Sequence, residues 1–380
     1  MQKNPYRTHR YRRTTVTARF RPQYKNEKER TIMKDIRIGL IGCGGISGNH
    51  LPQIEKAEGG VIHALCDIRP DRLHAAGERY GVPAERRFTD WHDLIALESV
   101  DAVDICTPNN LHVPMATEAV LAGKPVCVEK PLGVNYEETA ALQKLAEEKG
   151  VPAMICFSYR FMPAVRYARH LVDKGEIGKV INIYAMYLKS SAYMPGRRLD
   201  WRFDKDIARY GVSGDLGVHI LDLTTFLAGD MTGLFAQTGV AVPFRKREDS
   251  EEIAPVTTDD WCHFLARFES GASATFSITR AAYGNRNHIM VDIYGEKGAF
   301  RFDLDNNTRL EFHRPGTDEN AMEVLTVPEE FHAGQQQSFI NLLHGKKDPY
   351  LPVLADGVKM QKMLDAIMHS VEKGVWVEIN

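Results

Sequence analysis

The sequence lacks the features of a disulfide-bonded, zinc-binding or membrane-spanning protein. Its six cysteines include no Cys-x-x-Cys pair, and most of them lie at or near the ends of apolar runs that are typical of buried strands. No apolar run approaches the roughly 20 residues that cross a bilayer, and none has the pattern of a secretory signal. These absences predict a cytoplasmic protein with neither disulfide bonds nor a bound metal.

The sequence also lacks a large net charge. Its formal charge at pH 7 is -2 over 380 residues, which gives no overall attraction for nucleic acid or for an anionic membrane surface. We therefore expect a small-molecule ligand, and neither nucleic acid nor a membrane as a partner. The length predicts two domains, because single hydrophobic cores stop growing at roughly 250–300 residues.

Residues 1–32 differ in composition from the rest of the chain. They contain ten lysines and arginines and two glutamates, without apolar periodicity. This composition predicts a disordered basic extension, and the alternative is a tether for nucleic acid or membrane. Met33 directly precedes the first predicted strand, so translation could instead begin there.

Apolar runs and amphipathic segments alternate up to about residue 156. The predicted strands are 36–41, 61–66, 102–106, 126–128 and 153–156, and the predicted helices include 70–80, 111–122 and 136–149. This alternation predicts a parallel Rossmann sheet in a domain of residues 33–156. Beyond it, strands near 180–188, 256–268, 272–280, 289–294 and 299–304 predict a second α/β domain, residues 157–380, with a mostly antiparallel open sheet.

The first predicted strand runs into a glycine-rich loop that opens a helix and contains Gly42, Gly44, Gly45 and Ile46. Such a loop lets the backbone approach a pyrophosphate at the N-terminus of the helix. Asp67 ends the second strand, where a carboxylate can accept hydrogen bonds from both ribose hydroxyls of adenosine. The alternative role of Asp67 is a helix cap. These features predict NAD as the cofactor, with NADP as the alternative because Arg69 could bind a phosphate.

Polar residues also follow the next two strands, and they are Thr107, Pro108, Asn109 and His112 after one and Glu129 and Lys130 after the other. The carboxyl ends of such strands are where this fold binds ligands. We therefore expect Thr107, Pro108, Asn109, His112 and Glu129 to contact the cofactor. Asp215 and His219 are four residues apart on a predicted helix and share a face. His219 can act as a base near neutral pH, oriented by Asp215, while Lys130 stabilises an alkoxide. The alternatives are a solvated lysine and a structural histidine.

In order and spacing these residues resemble the glucose-fructose oxidoreductase, inositol dehydrogenase and rhizopine-catabolism family (Gfo/Idh/MocA), from about residue 33 to residue 380. Ser47 stands where the loop motif has its third glycine. The resemblance implies a nicotinamide-binding Rossmann domain, with Lys130 contacting nicotinamide and the reacting oxygen. It also implies that Asp215 and His219 form the acid and base pair, and that the open sheet forms a homodimer or homotetramer.

The same resemblance implies an oxidoreductase that acts on a secondary alcohol or ketone of a sugar, sugar derivative or inositol. The residues that match regions lining the substrate pocket of the family are Tyr159, Arg160, Trp201 and Arg202. They provide donors and an aromatic face for a sugar but could equally be structural. A phosphorylated or nucleotide-linked substrate stays open. Two other functions stay open as well, a redox-neutral NAD-using glycoside-processing enzyme and a non-catalytic dinucleotide-binding regulator.

Overall fold

The first sheet of this computed structural model, which describes residues 34–318 and 320–379, consists of six parallel strands. These are β1 (Ile36–Ile41), β2 (Gly60–Cys66), β3 (Arg87–Phe88), β4 (Ala102–Ile105), β5 (Val126–Val128) and β6 (Ala153–Ile155). They lie in the order 3-2-1-4-5-6, which is the order of dinucleotide-binding Rossmann folds. The prediction of a parallel Rossmann sheet is confirmed. The basic extension predicted at residues 1–32 lies outside the described residues.

Each pair of consecutive strands in this sheet is connected through a helix. The helices are α1 (Ser47–Lys56), α2 (Pro70–Arg79), α3 (Trp91–Ala96), α4 (His112–Leu121) and α5 (Tyr136–Lys149). Local signals set their limits, as α5 illustrates: the side chain of Asn135 accepts a hydrogen bond from the backbone N–H of Glu138, and the helix ends at Gly150 with φ 63°. An N-terminal asparagine cap and a left-handed C-terminal glycine are common helix boundaries.

The second sheet has nine strands. These are β7 (Val180–Leu188), β8 (Met231–Gly239), β11 (Trp261–Phe268), β12 (Ser273–Thr279), β13 (His288–Gly295), β14 (Ala299–Asp303), β15 (Arg309–His313), β16 (Glu323–Thr326) and β17 (Val377–Glu378), in the order 16-15-14-13-7-12-11-8-17. The sheet is mostly antiparallel, as predicted, but β7 and β12 pair in parallel. A separate hairpin contains β9 (Phe244–Lys246) and β10 (Ile253–Pro255).

Five helices accompany the second sheet or return to the first, namely α6 (Pro163–Asp173), α7 (Lys205–Ala208), α8 (Val218–Ala228), α9 (Gln335–Leu343) and α10 (Leu354–Lys373). Helix α9 packs on the first sheet, where its Ile340 shares a core with Ile38 and Leu40 of β1. Accordingly, Asp35–Asn380 form one compact unit, and the domain boundary at residues 156 and 157 stays a prediction. Of the helices described, none combines the length and apolarity needed to cross a membrane.

Candidate active site

A groove of about 300 Å³ lies over the loop between β1 and α1. Gly42 has φ +99°, and a Cβ atom there would lie 2.6 Å from the carbonyl oxygen of Cys106, so this position requires glycine. A Cβ atom at Gly45 would meet no described atom within 4 Å. Helix α1 starts after Ile46 without a side-chain cap from residues 34–318 or 320–379. Its first backbone N–H groups are therefore available to an anion.

Asp67 lines this groove at the end of β2. Its Oδ2 accepts a hydrogen bond from the backbone N–H of Cys43 at 2.7 Å, and its Oδ1 accepts one from the N–H of Arg69 at 2.8 Å. Asp67 therefore joins the glycine loop to the end of β2 instead of capping the N-terminal turn of α2, which begins at Pro70. Each carboxylate oxygen can accept a further hydrogen bond. The guanidinium of Arg69 is bound by Asp71 at 3.1 Å.

The loop after β4 divides its residues between structure and the ligand sites. Thr107 and Pro108 line the groove, whereas His112 is buried and is not among the described residues that line it. The ring nitrogens of His112 lie 2.7 Å from the carbonyl oxygen of Pro131 and 2.9 Å from that of Thr107. His112 therefore holds two strand-end loops together, and its contact with the cofactor stays a prediction.

A larger cavity of about 990 Å³ adjoins the groove. The residues that line both spaces are Ile46, Thr107, Asp200, Trp201 and Arg202. Two of the predicted substrate residues thus lie where the two spaces meet, with the guanidinium of Arg202 stacked 4.3 Å over the ring of Trp201. Asn109, Glu129, Lys130, Tyr159, Asp215 and His219 also line the cavity. A ligand in the groove and a second ligand in the cavity would therefore be neighbours.

Lys130 and Asp215 form an ion pair inside the cavity. The Nζ atom of Lys130 donates to the carbonyl oxygen of Asp215 at 2.9 Å and to its Oδ1 at 3.2 Å. Burial would raise the pKa of Asp215, but the charges of Lys130 and Arg202 hold it well below its usual value. Asp215 lies in a π-helical turn, Ser213–Gly217, and not on the regular helix predicted for it. Such turns recur at functional sites because they redirect side chains.

His219 follows on α8 and is a neutral, buried histidine. Its side chain is 7 % exposed, and its Nδ1 atom has no hydrogen-bond partner among the described residues. Burial, reinforced by the charge of Lys130, lowers the pKa of His219 to about 3. Buried polar atoms in folded proteins are nearly always hydrogen-bonded. His219 also lines the larger cavity, where a neutral imidazole can accept a hydrogen bond from a ligand hydroxyl.

Aromatic residues from several elements hold the wall beside His219. The ring of Tyr159 lies edge-on to His219 at 4.7 Å between centroids. Its hydroxyl is 2.8 Å from that of Tyr187 and accepts a hydrogen bond from Asn287 at 3.1 Å. Tyr187 and Asn287 also line the cavity, although no local sequence pattern marks them. They come from β7 and from the segment before β13, and only the folded sheet brings them to Tyr159.

Arg160 does not have the predicted substrate-binding position. It is 5 % exposed and is not among the described residues lining the larger cavity. Its Nε atom donates to Asp222 at 2.9 Å, and its Nη1 atom donates to Asp356 at 3.1 Å. Two carboxylates therefore occupy the guanidinium, and Arg160 connects α8 to α10. These contacts favour the structural alternative for Arg160, and its substrate-binding role stays a prediction.

A buried polar cluster behind the glycine loop was also missed from the sequence. His50 of α1 places Nδ1 2.9 Å from Asp104 Oδ2 and Nε2 2.9 Å from Glu129 Oε1. Glu129 in turn accepts a hydrogen bond from the backbone N–H of Lys130 at 3.1 Å. This His50 cluster, made of His50, Asp104 and Glu129, therefore connects α1 and β4 to the strand end that carries Lys130. The proline after Lys130 drew attention to that loop, but nothing local marks His50.

The fold and the site together define a dinucleotide-dependent oxidoreductase. The sheet has the order 3-2-1-4-5-6, the glycine loop lies at a helix N-terminus, and the adjoining cavity contains a lysine, an acid and a histidine. Comparison with protein families agrees with this class. Residues 36–157 match the oxidoreductase family with an NAD-binding Rossmann fold, and residues 165–301 match the GFO/IDH/MocA C-terminal domain. The chain belongs to the Gfo/Idh/MocA oxidoreductase family.

Known proteins resemble the chain over most of its length. A levoglucosan dehydrogenase of Pseudarthrobacter phenanthrenivorans is 28% identical over 387 residues, which cover 91% of this chain and 99% of that protein. A D-apiose dehydrogenase of Paraburkholderia graminis is 30% identical over 291 residues, covering 76% and 72%. Among solved structures, an oxidoreductase domain protein from Kribbella flavida has a TM-score of 0.84 at 32% identity, with 92% and 100% covered. Levoglucosan dehydrogenase in complex with NADH and levoglucosan has a TM-score of 0.84 at 26% identity, with 91% and 100% covered.

Proposed function

We propose that this protein is an NAD-dependent dehydrogenase that oxidises a secondary alcohol of a sugar, sugar derivative or inositol, or reduces the corresponding ketone. The observation that carries the proposal is the meeting of Lys130, Asp215 and His219 in a cavity beside the glycine-loop groove. Relatives named as levoglucosan, D-apiose and myo-inositol dehydrogenases support the substrate class.

The groove fits a dinucleotide. The open backbone from Gly42 through Gly44 and Gly45 to Ile46 would hold the pyrophosphate at the start of α1, and Asp67 would accept hydrogen bonds from the adenosine ribose. Thr107 and Pro108 form the wall next to the cavity, with Asn109 and Glu129 on its far side. When bound, the nicotinamide supplies the two-electron acceptor for the carbinol hydrogen.

The protein side of the reaction follows from charge. Oxidising a carbinol requires the hydroxyl to lose a proton as the carbon loses hydride, and neutral His219 is the available acceptor for that proton. The ammonium of Lys130 would stabilise the negative charge that develops on the same oxygen. Asp215 neutralises Lys130 when the cavity lacks substrate, because it binds the ammonium directly. In the reverse direction His219 returns the proton to the carbonyl oxygen.

Asp67 favours NAD over NADP. Its carboxylate would meet a 2'-phosphate with like charge, whereas two ribose hydroxyls can donate to it. Arg69, which could bind such a phosphate, is already held by Asp71. We therefore propose a preference for NAD, incomplete because Arg69 and Arg72 both line the groove.

We also propose that the enzyme works in the cytoplasm as a homodimer or homotetramer. Cys43, Cys66, Cys106, Cys127, Cys156 and Cys262 are free thiols, which suits a reducing compartment. Tyr184 and Leu265 are 50% and 52% exposed on the second sheet and lie on one face, because both pair with Thr275; exposed apolar side chains on one face are typical of an interface. Light scattering of the purified protein tests the subunit count.

The proposed activity is tested with a panel of sugars and polyols and NAD, followed by NADH absorbance. At least one compound should give sustained NADH formation that depends on His219 and Lys130. If substrate disappears without net NADH, the redox-neutral function holds instead. If NAD binds but no compound is consumed, the regulator function holds.

A further inference from the structure

The larger cavity contains more positive than negative charge. The described residues that line it include six cationic side chains, Lys130, Lys189, Arg197, Arg202, Arg280 and Arg286, and three acids, Glu129, Asp200 and Asp215. Sugar hydroxyls are neutral, so binding them does not by itself require an excess of cations. The partners of each charge therefore decide whether the excess is real.

Three of the cations have an acidic partner. Lys130 pairs with Asp215, and Arg197 pairs with Asp200 at 3.0 Å. Arg280 is buried and pairs with Asp260 at 2.6 Å, behind the cavity wall. The remaining acid, Glu129, is bound by His50. The acids of the cavity are thus already engaged.

The other three cations form no salt bridge with an acid in the described part of the chain, although Asp215 attracts Arg202 and Lys189 from a greater distance. Arg202 lies over Trp201 and also lines the groove, so phosphates of a dinucleotide can offset its charge. Lys189 and Arg286 line only the larger cavity of the two. Lys189 is half-buried, and burial lowers its pKa; the charge of Asp215 opposes this shift, whereas the charges of Lys130 and Arg197 add to it. A cation in such surroundings is stabilised by an anion.

Lys189 and Arg286 are presented by segments that the fold ties together. Lys189 directly follows β7, and its carbonyl oxygen accepts a hydrogen bond from the backbone N–H of Ala282 at 2.8 Å. The N–H of Ser190 donates to the carbonyl oxygen of Asn285 at 2.7 Å, next to Arg286. Both cations therefore lie on two segments that are joined by backbone hydrogen bonds, next to Asn287 and the tyrosines beside His219.

We propose that the substrate carries a carboxylate or phosphate group and that Lys189 and Arg286 bind it, so that the enzyme acts on an anionic sugar derivative. The inference rests on the proposed dehydrogenase function and narrows its substrate class. Lys189 and Arg286 become specificity-determining residues. Charge-assisted hydrogen bonds of this kind are about twice as strong as neutral ones.

An anionic substrate would also assist the chemistry. The charges of Lys130 and Lys189 both lower the pKa of His219, which weakens it as a proton acceptor. An anion bound to Lys189 would offset part of this field and raise the proton affinity of His219. The neutral imidazole would then accept the alcohol proton more readily when the correct substrate is in place.

The test compares matched compounds that differ in charge: D-glucose with D-glucuronate and D-glucose 6-phosphate, and myo-inositol with its monophosphate. The wild-type kcat/KM should be at least about tenfold higher for an anionic member of a set. In Lys189→Met and Arg286→Met the anionic-to-neutral ratio should fall about 10- to 100-fold. Lys205→Met removes an exposed lysine of α7 outside the cavity and should leave the ratio unchanged. The anionic compound with the higher kcat/KM shows whether the site prefers a carboxylate or a phosphate.

A second measurement keeps the inference independent of turnover. The melting temperature of the NADH complex should rise with the anionic member of a set more than with the neutral one, and Lys189→Met should abolish the difference. Turnover without charge preference would overturn the inference and leave the dehydrogenase function standing. A charge-dependent thermal shift without turnover of any compound would support the anion-binding site and contradict the dehydrogenase function. Equal shifts for charged and neutral compounds would reject the anionic substrate.

Discussion

Two buried histidines, His50 and His219, have pKa values that are shifted in opposite directions. Both are less than a tenth exposed. Burial by itself lowers the pKa of a histidine, but the carboxylate of Asp104 and its neighbours hold the pKa of His50 well above the usual value. At His219 burial and the charge of Lys130 act in the same direction and lower the pKa to about 3. Burial is common to both, so the neighbouring charges decide the outcome.

The two histidines differ in their partners: the polar groups around His50 are paired within the protein, whereas those around His219 are available to a ligand. In the His50 cluster both ring nitrogens face carboxylates at 2.9 Å, so the charges compensate each other inside the protein. Around His219 a ring nitrogen has no partner among the described residues, and unpaired cations line the same cavity. Compensated charge fixes the position of the loop that carries Lys130. Uncompensated charge leaves binding energy for the substrate.

Removing the imidazole of His219 should have the largest effect on turnover. His219→Ala should lower kcat by about 10²- to 10⁴-fold, the usual contribution of a positioned acid or base, because it removes the proposed proton acceptor. NAD affinity should persist, since His219 does not line the groove. Stopped-flow turnover and NAD titration measure the two effects. His263→Ala changes an exposed histidine of β11 and serves as the control. Normal turnover of His219→Ala would make His219 structural.

Disrupting the His50 cluster should instead reduce stability. His50→Gln leaves Asp104 and Glu129 buried without their cation, and loss of one partner of a buried ion pair costs about 3–5 kcal/mol. Urea unfolding measures the free energy of unfolding. The double variant His50→Gln with Asp104→Asn removes an uncompensated charge and should recover part of the loss. A His50→Gln protein as stable as the wild type would contradict an ionised cluster.

Lys130 lies between the His50 cluster and the cavity that contains His219. Lys130→Met should impair turnover more than folding. We expect kcat to fall about 10²- to 10³-fold, the effect of losing one stabilising donor at a developing oxyanion. Its ion pair with Asp215 is partly solvated, so the melting temperature should change little. Thermal melting and steady-state kinetics are measured on the same preparation. A large loss of stability with a near-normal rate would give Lys130 a structural role.

The low pKa of His219 predicts an acid-sensitive fold. In the unfolded chain His219 binds a proton below its ordinary value of 6.5, whereas the folded protein does so only near pH 3. Stability from this group is therefore complete above pH 6.5 and falls as the pH decreases toward 3. At pH 5 the loss is about 2 kcal/mol. His219→Ala should lose less stability between pH 7 and pH 5 than the wild type in urea titrations. Equal losses would mean that His219 has the same pKa in the folded and the unfolded protein.

The sequence was informative where a function depends on neighbouring residues. The glycine loop, Asp67 and the lysine loop each follow a strand directly, so strand ends predicted their common edge. Lys189, Arg286 and Asn287 depend on the pairing of β7 with β13, strands separated by about a hundred residues, and periodicity does not encode that pairing. The sequence left the role of Arg160 open for the same reason, because its partners Asp222 and Asp356 are distant in sequence.

The smallest expected effect concerns the choice of cofactor at Asp67. The carboxylate already accepts two backbone hydrogen bonds, from Cys43 and Arg69, so Asp67→Ser removes both a repelling charge and a support of the glycine loop. We expect the ratio of kcat/KM for NADP over NAD to rise about tenfold, which corresponds to one lost unfavourable charge contact.

Loop damage would lower both efficiencies together, whereas loss of repulsion raises the NADP term relative to the NAD term, so the ratio separates the two effects. Asp67→Asn keeps the shape and one acceptor and should shift the ratio in the same direction with less loss of total activity. Asp71→Asn releases Arg69 from its carboxylate and should favour NADP further. If the wild type prefers NADP, or if the ratio is the same in all these variants, Asp67 only supports the loop and the ribose is recognised elsewhere.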